Sequence, residues 1–271
     1  MVVSSMKTLL IYLNLVIIRF KSQTIYKKSF IFEIIAYFLQ MASGIGAIYF
    51  IFCQTNNISN WNMWEILYLY GITSLAFSFA LLTAEAFQNL HIYLKTGEFE
   101  QMLTKPVLPL VQITAASFKV ERVSAIIQSL LSLIIAWMNL EIFISVFTIT
   151  QVIISLVSLF ITYYSLFLLN GAFSLVSKDN SEIFNSFIYG GVEVTQYPIS
   201  IYPKWIQTLF IYFIPLGAAS YIPSINILSK KNELEIWFVG SYLIPLLALI
   251  FFVISLKCWE MSVKYYKKNG Y

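Results

Sequence analysis

The chain has few of the residue types that catalyse reactions or bind metal ions. His91 is its only histidine, so a zinc site built from several histidines and an HExxH hydrolase are both excluded. The sequence contains neither a G-x-S-x-G nucleophile elbow nor the G-x-x-x-x-G-K-[ST] loop whose backbone amides cradle nucleotide phosphates. It therefore predicts a protein that is not an enzyme and does not bind ATP through the usual motif.

The acidic residues do not form an ion pathway either. Carboxylates inside a span usually mark proton or ion routes, because a charge at its centre costs about 2.5 to 3.5 kcal/mol on insertion scales. Only Glu193 lies well inside an apolar stretch, and its neighbours Thr195 and Gln196 fit an outer interface. This pattern disfavours coupling to protons or sodium. The remaining acids near apolar stretches fall at their ends: Glu33, Glu65, Glu85, Glu121 and Glu260.

The composition predicts that membrane-spanning helices position these residues. Of the 271 residues, 59% are hydrophobic and 11% are charged, whereas about 25% are charged in a soluble domain. A helix needs roughly 20 residues to cross about 30 Å of hydrocarbon. Five uncharged runs approach or exceed this length: 34–54, 66–84, 123–140, 142–177 and 236–256.

The distribution of basic residues predicts the topology. Fourteen of the seventeen lysines and arginines lie on one face if both termini are cytoplasmic. Such a chain needs an even number of spans, so residues 178–235 should cross once. We expect an all-α integral membrane fold with six transmembrane helices, an N-terminal interfacial helix and a re-entrant helical hairpin before the last span.

The first residues imitate a signal peptide, since Lys7 precedes an apolar stretch. However, Arg19, Lys21, Lys27 and Lys28 stand where a cleavage site should follow. We expect a retained cytoplasmic segment whose helix lies on the inner leaflet.

The loop after the second span predicts two short amphipathic helices. Leu90, Tyr93 and Leu94 form one apolar face with helical spacing, and a second face follows Gly97. Pro106 should end the second helix. The pattern alone leaves open whether this loop is a rigid cytoplasmic projection or a helix on the inner leaflet. The second face consists of Phe99, Met102 and Leu103.

The string TGEFEQMLTKP in this loop resembles the G-x-[LF]-[DE]-x-x-L-x-[KR]-P stretch of permease subunits of ABC-2 type exporters. The resemblance implies a coupling helix that inserts into a separate ATPase subunit. The ATPase, present in two copies, would hold ATP and magnesium. The implied coupling residues are Gly97, Glu98, Phe99, Glu100, Met102, Leu103, Lys105 and Pro106.

Four of the seven prolines lie in the stretch YPISIYPKWIQTLFIYFIPLGAASYIP, residues 197–223. Pro198 and Pro203 should end a fifth span, and Pro215 with Gly217 should break the helix that restarts at Lys204. Two short half-helices would then dip into the membrane and return. The alternative is that residues 205–221 are the fifth span and 181–196 an inner surface helix, which also preserves six spans.

This stretch carries a second resemblance to the ABC-2 permeases. YPISIYP is similar to their S-P-x-x-Y-P stretch, and FIPLGAASYIP to their re-entrant pair, although Ile214 stands where many relatives have asparagine. The resemblance implies an outer gate. Its residues would be Tyr197, Pro198, Tyr202, Pro203, Pro215, Gly217, Tyr221 and Pro223.

The same resemblance implies that this subunit and a second permease, identical or paralogous, form one pathway between them in the bacterial cytoplasmic membrane. A lining rich in aromatic rings and poor in charge suits an amphiphile, such as a lipid, hydrophobic peptide or antibiotic. No nucleic acid is implied. The lining residues from the second and fifth spans would be Ser74, Phe77, Ser78, Thr83, Phe187, Tyr189 and Gln196.

The predicted organisation is a cytoplasmic segment (1–29), a six-span ABC-2 type domain (30–260) and a basic cytoplasmic tail (261–271). The predicted spans are 30–54, 64–87, 120–140, 145–170, 181–199 and 236–257, with the coupling loop at 88–110 and the re-entrant gate at 203–229. The alternatives are a channel or ion-coupled transporter working without an ATPase, and a membrane enzyme acting on lipids.

Overall fold

The computed structural model describes residues 5–23, 27–55, 57–119, 122–177, 182–230 and 240–268. Nearly all of them are helical, and the β-structure among them is one isolated bridge between Ile58 and Trp61. The helices, in chain order, are α1 (Ser5–Gln23), α2 (Lys27–Gln54), α3 (Met63–Gln88), α4 (Leu90–Lys95), α5 (Glu98–Thr104), α6 (Pro109–Ala116), α7 (Arg122–Asn139), α8 (Val146–Ser177), α9 (Glu182–Thr195), α10 (Lys204–Phe213), α11 (Leu216–Ile227) and α12 (Ile244–Lys268).

Five stretches of helix in the described residues are long and apolar enough to cross a membrane. The pair α10 and α11 also qualifies, but it is bent by 95° at a short break, so the total is five, or six if the pair counts as one span. The predicted all-α integral membrane fold is confirmed. The five stretches are Ile34–Gln54, Met63–Lys95, Arg122–Asn139, Val146–Ser177 and Ser241–Lys268.

Helix α3 lies at the centre of the bundle and is buried on nearly every side. It packs against α6, α7, α8 and α9, and it is apolar all round, as a fully enclosed helix must be. Gly71 lets α7 approach closely, since a Cβ at this position would lie 2.9 Å from the backbone nitrogen of Leu133. Small residues at such crossings are typical of helices that associate in lipid.

Helix α8 forms the second half of the core, packed against α3, α11 and α12. Helix α2, in contrast, buries little of its apolar surface within the chain. At the start of the chain, α1 packs against α6, and Gln23 Nε2 donates a hydrogen bond to the carbonyl oxygen of Phe118 at 2.8 Å.

Helix α9 occupies the position predicted for the fifth span. Its 14 residues give a length of about 21 Å, less than the hydrocarbon thickness of about 30 Å. Residues 178–181, which precede it, lie outside the described residues. The alternative fifth span, residues 205–221, falls on the pair α10 and α11, which the 95° bend divides into either a broken span or a re-entrant loop.

The two last helix boundaries differ from the sequence expectation. Residues 236–239 of the predicted last span lie outside the described residues, and the described helix begins with a 3-10 turn at Ser241–Leu243. Helix α12 then continues to Lys268, well into the segment predicted as a tail. No glycine or proline stands between Leu256 and Lys268, so nothing in that stretch breaks the helix.

Candidate functional site

The break between α10 and α11 is the most irregular backbone at core depth. The last turn of α10, Leu209–Phe213, is π-helical, and Ile214 is extended. The amide of Ile214 donates to the Leu209 carbonyl at 2.9 Å, so the wide turn satisfies the last donor before Pro215. Both Ile214 and Pro215 are buried. The predicted breaking residue Pro215 therefore stands at the bend.

Gly217 allows a close approach at this bend. A Cβ at this position would lie 3.0 Å from the carbonyl oxygen of Phe210 and 3.2 Å from the Ile199 side chain. A larger residue would require these neighbours to shift by a few tenths of an ångström. The predicted gate residue Gly217 thus has a packing reason that the sequence pattern alone did not supply.

Pro223 lies inside α11 and leaves a carbonyl without its helical donor. In a regular helix the amide of residue 223 would bond to the carbonyl of Ala219, but proline has no N–H. Ser155 of α8 supplies the missing donor, since its Oγ hydrogen-bonds the Ala219 oxygen at 2.7 Å. Both serine and carbonyl are buried, and an unpaired carbonyl there would cost about 1–3 kcal/mol.

The other predicted gate residues shape the chain before α10. After α9, a 3-10 turn spans Ile199–Ile201, and the amide of Tyr202 donates to the Ile199 carbonyl at 3.2 Å. That carbonyl would otherwise have lacked a donor because Pro203 has no N–H. Gln207 Nε2 donates to the Tyr202 carbonyl at 2.8 Å. Pro198 and Tyr197 precede this turn, buried and half-buried respectively.

A polar cluster ties the end of the bent pair to the start of α3. Lys230 Nζ lies 2.9 Å from the Glu65 carboxylate, 4.8 Å above the Trp61 ring, and within hydrogen-bond reach of the Asn60 carbonyl. Trp61 is fully buried and stacks on the predicted gate residue Tyr221 at 5.7 Å between ring centroids. We call Asn60, Trp61, Glu65, Tyr221 and Lys230 the latch cluster.

The latch cluster also begins α3. Asn62 Oδ1 accepts a hydrogen bond from the Glu65 amide, and Glu65 Oε2 accepts one from the Asn62 amide at 2.7 Å. This reciprocal capping box is visible in the sequence as asparagine followed three residues later by glutamate. The role of Lys230 had no such signal in the sequence.

The predicted lining residues do not all come together. Phe77 packs against Tyr189 of α9 at 5.9 Å between ring centroids, and Gln196 Nε2 donates to Ser74 Oγ at 3.3 Å. These four residues therefore meet between α3 and α9. Phe187 is half-buried on α9.

Two lining residues of α3 lie elsewhere. Ser78 is buried and its hydroxyl donates to the Ser74 carbonyl of its own helix. Thr83 lies with Phe79 and Val157 along an apolar groove of about 290 Å³ between α3 and α8. The helical spacing explains this division, because Thr83 is six residues from Phe77 and so falls on another face.

The short helix α5 is fixed to the last span by aromatic rings. Gly97 adopts a left-handed φ of 74° between α4 and α5. Phe99 is fully buried, with its ring centroid 5.4 Å from that of Tyr266 and 6.5 Å from that of Trp259. The Tyr266 hydroxyl hydrogen-bonds Glu100. Phe99 therefore serves as an anchor within this chain and offers no surface to a partner.

Gln112 of α6 holds the other end of α5. Its Nε2 donates to the carbonyls of Met102 and Val107, both at 2.9 Å. Met102 is buried and Leu103 half-buried. The exposed side chains of this segment are Glu98, Gln101, Thr104, Lys105 and Pro106. Of the predicted coupling residues, Glu98, Lys105 and Pro106 thus remain accessible to a partner.

The end of α3 near α5 is fixed by a second ion cluster. Glu85 Oε1 lies 2.9 Å from both Lys119 Nζ and Arg122 Nη2, and Oε2 accepts a bond from Arg122 Nε at 3.0 Å. This forked contact fixes the carboxylate in direction as well as in distance. Helix α3 therefore carries two ion pairs at Glu85 near one end and one at Glu65 near the other.

A family model described as "ABC-2 family transporter protein" matches residues 38–270 of the chain. The chain belongs to the ABC-2 transporter family. The chain matches no curated protein and no solved structure. The resemblance inferred from the two sequence stretches is confirmed. ABC-2 membership makes the chain a multi-pass permease subunit of an ABC transporter and implies an ABC ATPase as partner. Permeases of this family are generally non-catalytic transport subunits.

We predict that Ser155→Ala destabilises the ABC-2 fold by about 1–3 kcal/mol, because the buried Ala219 carbonyl loses its donor. In a Pro223→Ala background, where residue 223 regains its amide, the same change should cost much less. The matched control is Ser158→Ala, since Ser158 Oγ on the same helix has no hydrogen-bond partner among the described residues. The free energy of unfolding is measured in mixed micelles for Ser155→Ala, Pro223→Ala, the double variant and Ser158→Ala. Equal costs in both backgrounds would contradict the assignment.

We predict that Lys230→Met loosens the latch cluster. The Glu65 carboxylate loses its ion pair, and the Trp61 ring loses its cation. The contact between the cation and the ring is worth about 0.5–2 kcal/mol. Hydrogen exchange of the amides at 57–62 should speed up several-fold. Lys204→Met, an exposed lysine at the start of α10, is the control and should leave these amides unchanged. The latch is excluded if both variants exchange alike.

Proposed function

We propose that the chain is the permease subunit of an ATP-driven exporter that carries an amphiphilic or hydrophobic substrate out of a bacterial cell. Two ABC ATPase copies, holding ATP and magnesium, bind α5 from the cytoplasm. A second permease, identical or paralogous, completes the pathway. Both termini of the chain are cytoplasmic in this proposal, in accordance with the distribution of basic residues.

The observation that carries this proposal is the attachment of α5 to α12 and α6. One face of this helix is fixed to α12 through Phe99 and to α6 through Gln112, while Glu98, Gln101 and Lys105 stay exposed. A push on the exposed face therefore moves the spans as well as the loop. A helix merely resting on a leaflet would instead turn apolar residues outward.

Helix α3 connects α5 with the bent pair. Its 26 residues form a rod of about 39 Å, with Glu85 held near α7 at one end and Glu65 held by Lys230 at the other. Rotation of such rods is a common form of transporter gating. In this proposal the latch cluster opens when α3 moves, and the bent pair acts as the gate.

The nature of the site favours an amphiphile as cargo. The meeting place of α3 and α9 offers two aromatic rings, Phe77 and Tyr189, and two neutral polar side chains, Ser74 and Gln196. An ion channel would need rings of charges or a run of carbonyls along a pore. Neither pattern occurs at this place among the described residues.

We predict that a photo-crosslinking amino acid at Gln101 forms an adduct with the ABC ATPase in membranes that contain both proteins. Gln101 lies in the middle of α5 and is exposed, whereas Phe99, two positions earlier, is buried. The same amino acid at Glu141, exposed in the loop between α7 and α8, should give no adduct because that loop faces outward. Mass spectrometry identifies the product. An adduct at Glu141 but not at Gln101 would reverse the topology.

We predict that vesicles containing this chain with its ATPase move a fluorescent amphiphile only when ATP and magnesium are supplied. The chain alone should show no transport above empty vesicles, because its described residues offer no ion pathway to drive it. The experiment uses the ABC ATPase that the crosslink at Gln101 identifies. Full-speed transport by the chain alone would replace the exporter with a channel.

A further inference from the structure

Glu193 is an acidic residue without an ion-pair partner in the described part of the chain. It is exposed and lies in the last turn of α9. Glu65 and Glu85, the acids at the two ends of α3, are in contrast buried and paired with lysine or arginine. Glu193 therefore differs from them in its freedom to bind a charge that comes from outside the chain.

Its position on α9 is unfavourable for folding. Backbone dipoles make the C-terminal end of a helix negative, so a carboxylate there is repelled and a cation is attracted. An ionisable residue in a membrane segment also costs desolvation and usually has a function. Both effects favour a positively charged group beside Glu193, and the described chain supplies none.

Two tyrosines follow Glu193 within nine positions of the chain. Tyr197 stands four residues after Glu193, and both Tyr197 and Tyr202 are half-buried. The Tyr202 hydroxyl also donates to the main-chain carbonyl of Glu193 at 3.4 Å, which fixes this ring beside the helix end. Aromatic faces attract ammonium groups, and a carboxylate among tyrosines is a common way to recognise them.

The surface leading to Glu193 is open. Gly190, one turn earlier, has no atom within 4 Å of the place where a Cβ would stand. Ser186 and Tyr189 are exposed along the same stripe of α9, and Tyr189 belongs to the group that meets α3. A molecule that follows this stripe would reach Glu193 at the end of α9.

We infer that Glu193, Tyr197 and Tyr202 bind the ammonium group of a cationic amphiphile, while its hydrocarbon part lies against Phe77 and Tyr189. This inference deepens the proposed function, since it makes the cargo of the exporter a singly or multiply charged cation with an apolar tail. A neutral or anionic amphiphile would leave the Glu193 carboxylate unpaired.

Binding of a dodecylammonium probe with a fluorescent label, measured by fluorescence anisotropy on the purified full-length chain in a neutral sugar detergent, tests the inference. We expect Glu193→Gln to raise the dissociation constant about tenfold, the loss of one charge-assisted contact. Glu193→Asp should stay within about threefold, because it keeps the charge. The control Glu182→Gln, at the start of the same helix, should bind as the unchanged protein does.

The inference is overturned if Glu193→Gln binds the ammonium probe unchanged, or if an uncharged dodecanamide probe binds as tightly to the unchanged protein. Tyr202→Phe, which keeps the ring, should retain binding, whereas Tyr202→Leu should weaken it several-fold. Equal binding by these two variants would show that the Tyr202 ring does not contribute to the site. Thermal unfolding of each variant verifies that the fold is intact.

An ammonium group is also present in phosphatidylethanolamine. If this lipid displaces the probe fully at bilayer concentrations, the natural occupant is a headgroup and the cargo assignment is overturned; displacement by less than half supports it. The assay contains no ATPase, so its outcome is independent of the exporter proposal. ATP-driven transport with equal rates for the two probes would overturn the cation site alone.

Discussion

The need to satisfy backbone polar groups at membrane depth determines most of this structure. Lipid offers no donors or acceptors, so a broken helix is stable there only when protein encloses it. The bend between α10 and α11 meets this need with a π-helical turn that satisfies the Ile214 amide and with Ser155, which replaces the donor missing at Pro223. Every residue from Ile214 to Ile225 is buried. The tight packing of α3, α8 and α9 around α11 follows from that enclosure.

The same constraint explains why the polar residues of the core are mainly serine, threonine and tyrosine. Thr73 Oγ1 donates to the Thr195 carbonyl at 3.0 Å, and the Tyr163 hydroxyl lies 2.9 Å from Thr195 Oγ1. These two contacts fasten the end of α9, just before the 3-10 turn at Ile199–Ile201, to α3 and α8. Neutral hydroxyls can do so without the desolvation cost of a charge. The charged pairs stand at the ends of α3, where Lys230 and Arg122 reach water with part of their length.

Local sequence signals predicted the helices and their breaks well. They could not predict contacts between residues that lie far apart in the chain. Gly97 and Pro106 enclose the segment in which α5 forms, and Pro215 marks the bend, because each of these residues acts on its own backbone. The direction of Phe99 could not be inferred, since its partners Trp259 and Tyr266 are about 160 positions away along the chain. Amphipathic spacing gives a helix an apolar face but does not say whether that face contacts the same chain, a partner or lipid. The pairing of Ser155 with Ala219 was equally invisible, and so was the position of Thr83 on a separate face.

The rigidity of α3 decides whether a small displacement near α5 would reach the bent pair α10 and α11. Helix α3 contains no proline and one glycine, Gly71, which is clamped against α7. A straight rod of about 39 Å that tilts by about 10° moves its far end by about 7 Å. That distance exceeds the 2.9 Å of the Lys230 and Glu65 contact, so such a tilt would part the latch cluster. A flexible break within α3 would keep the tilt of one end from reaching the other. The ion pairs at both ends of α3 act against such joints, because they fix each end to a different neighbour.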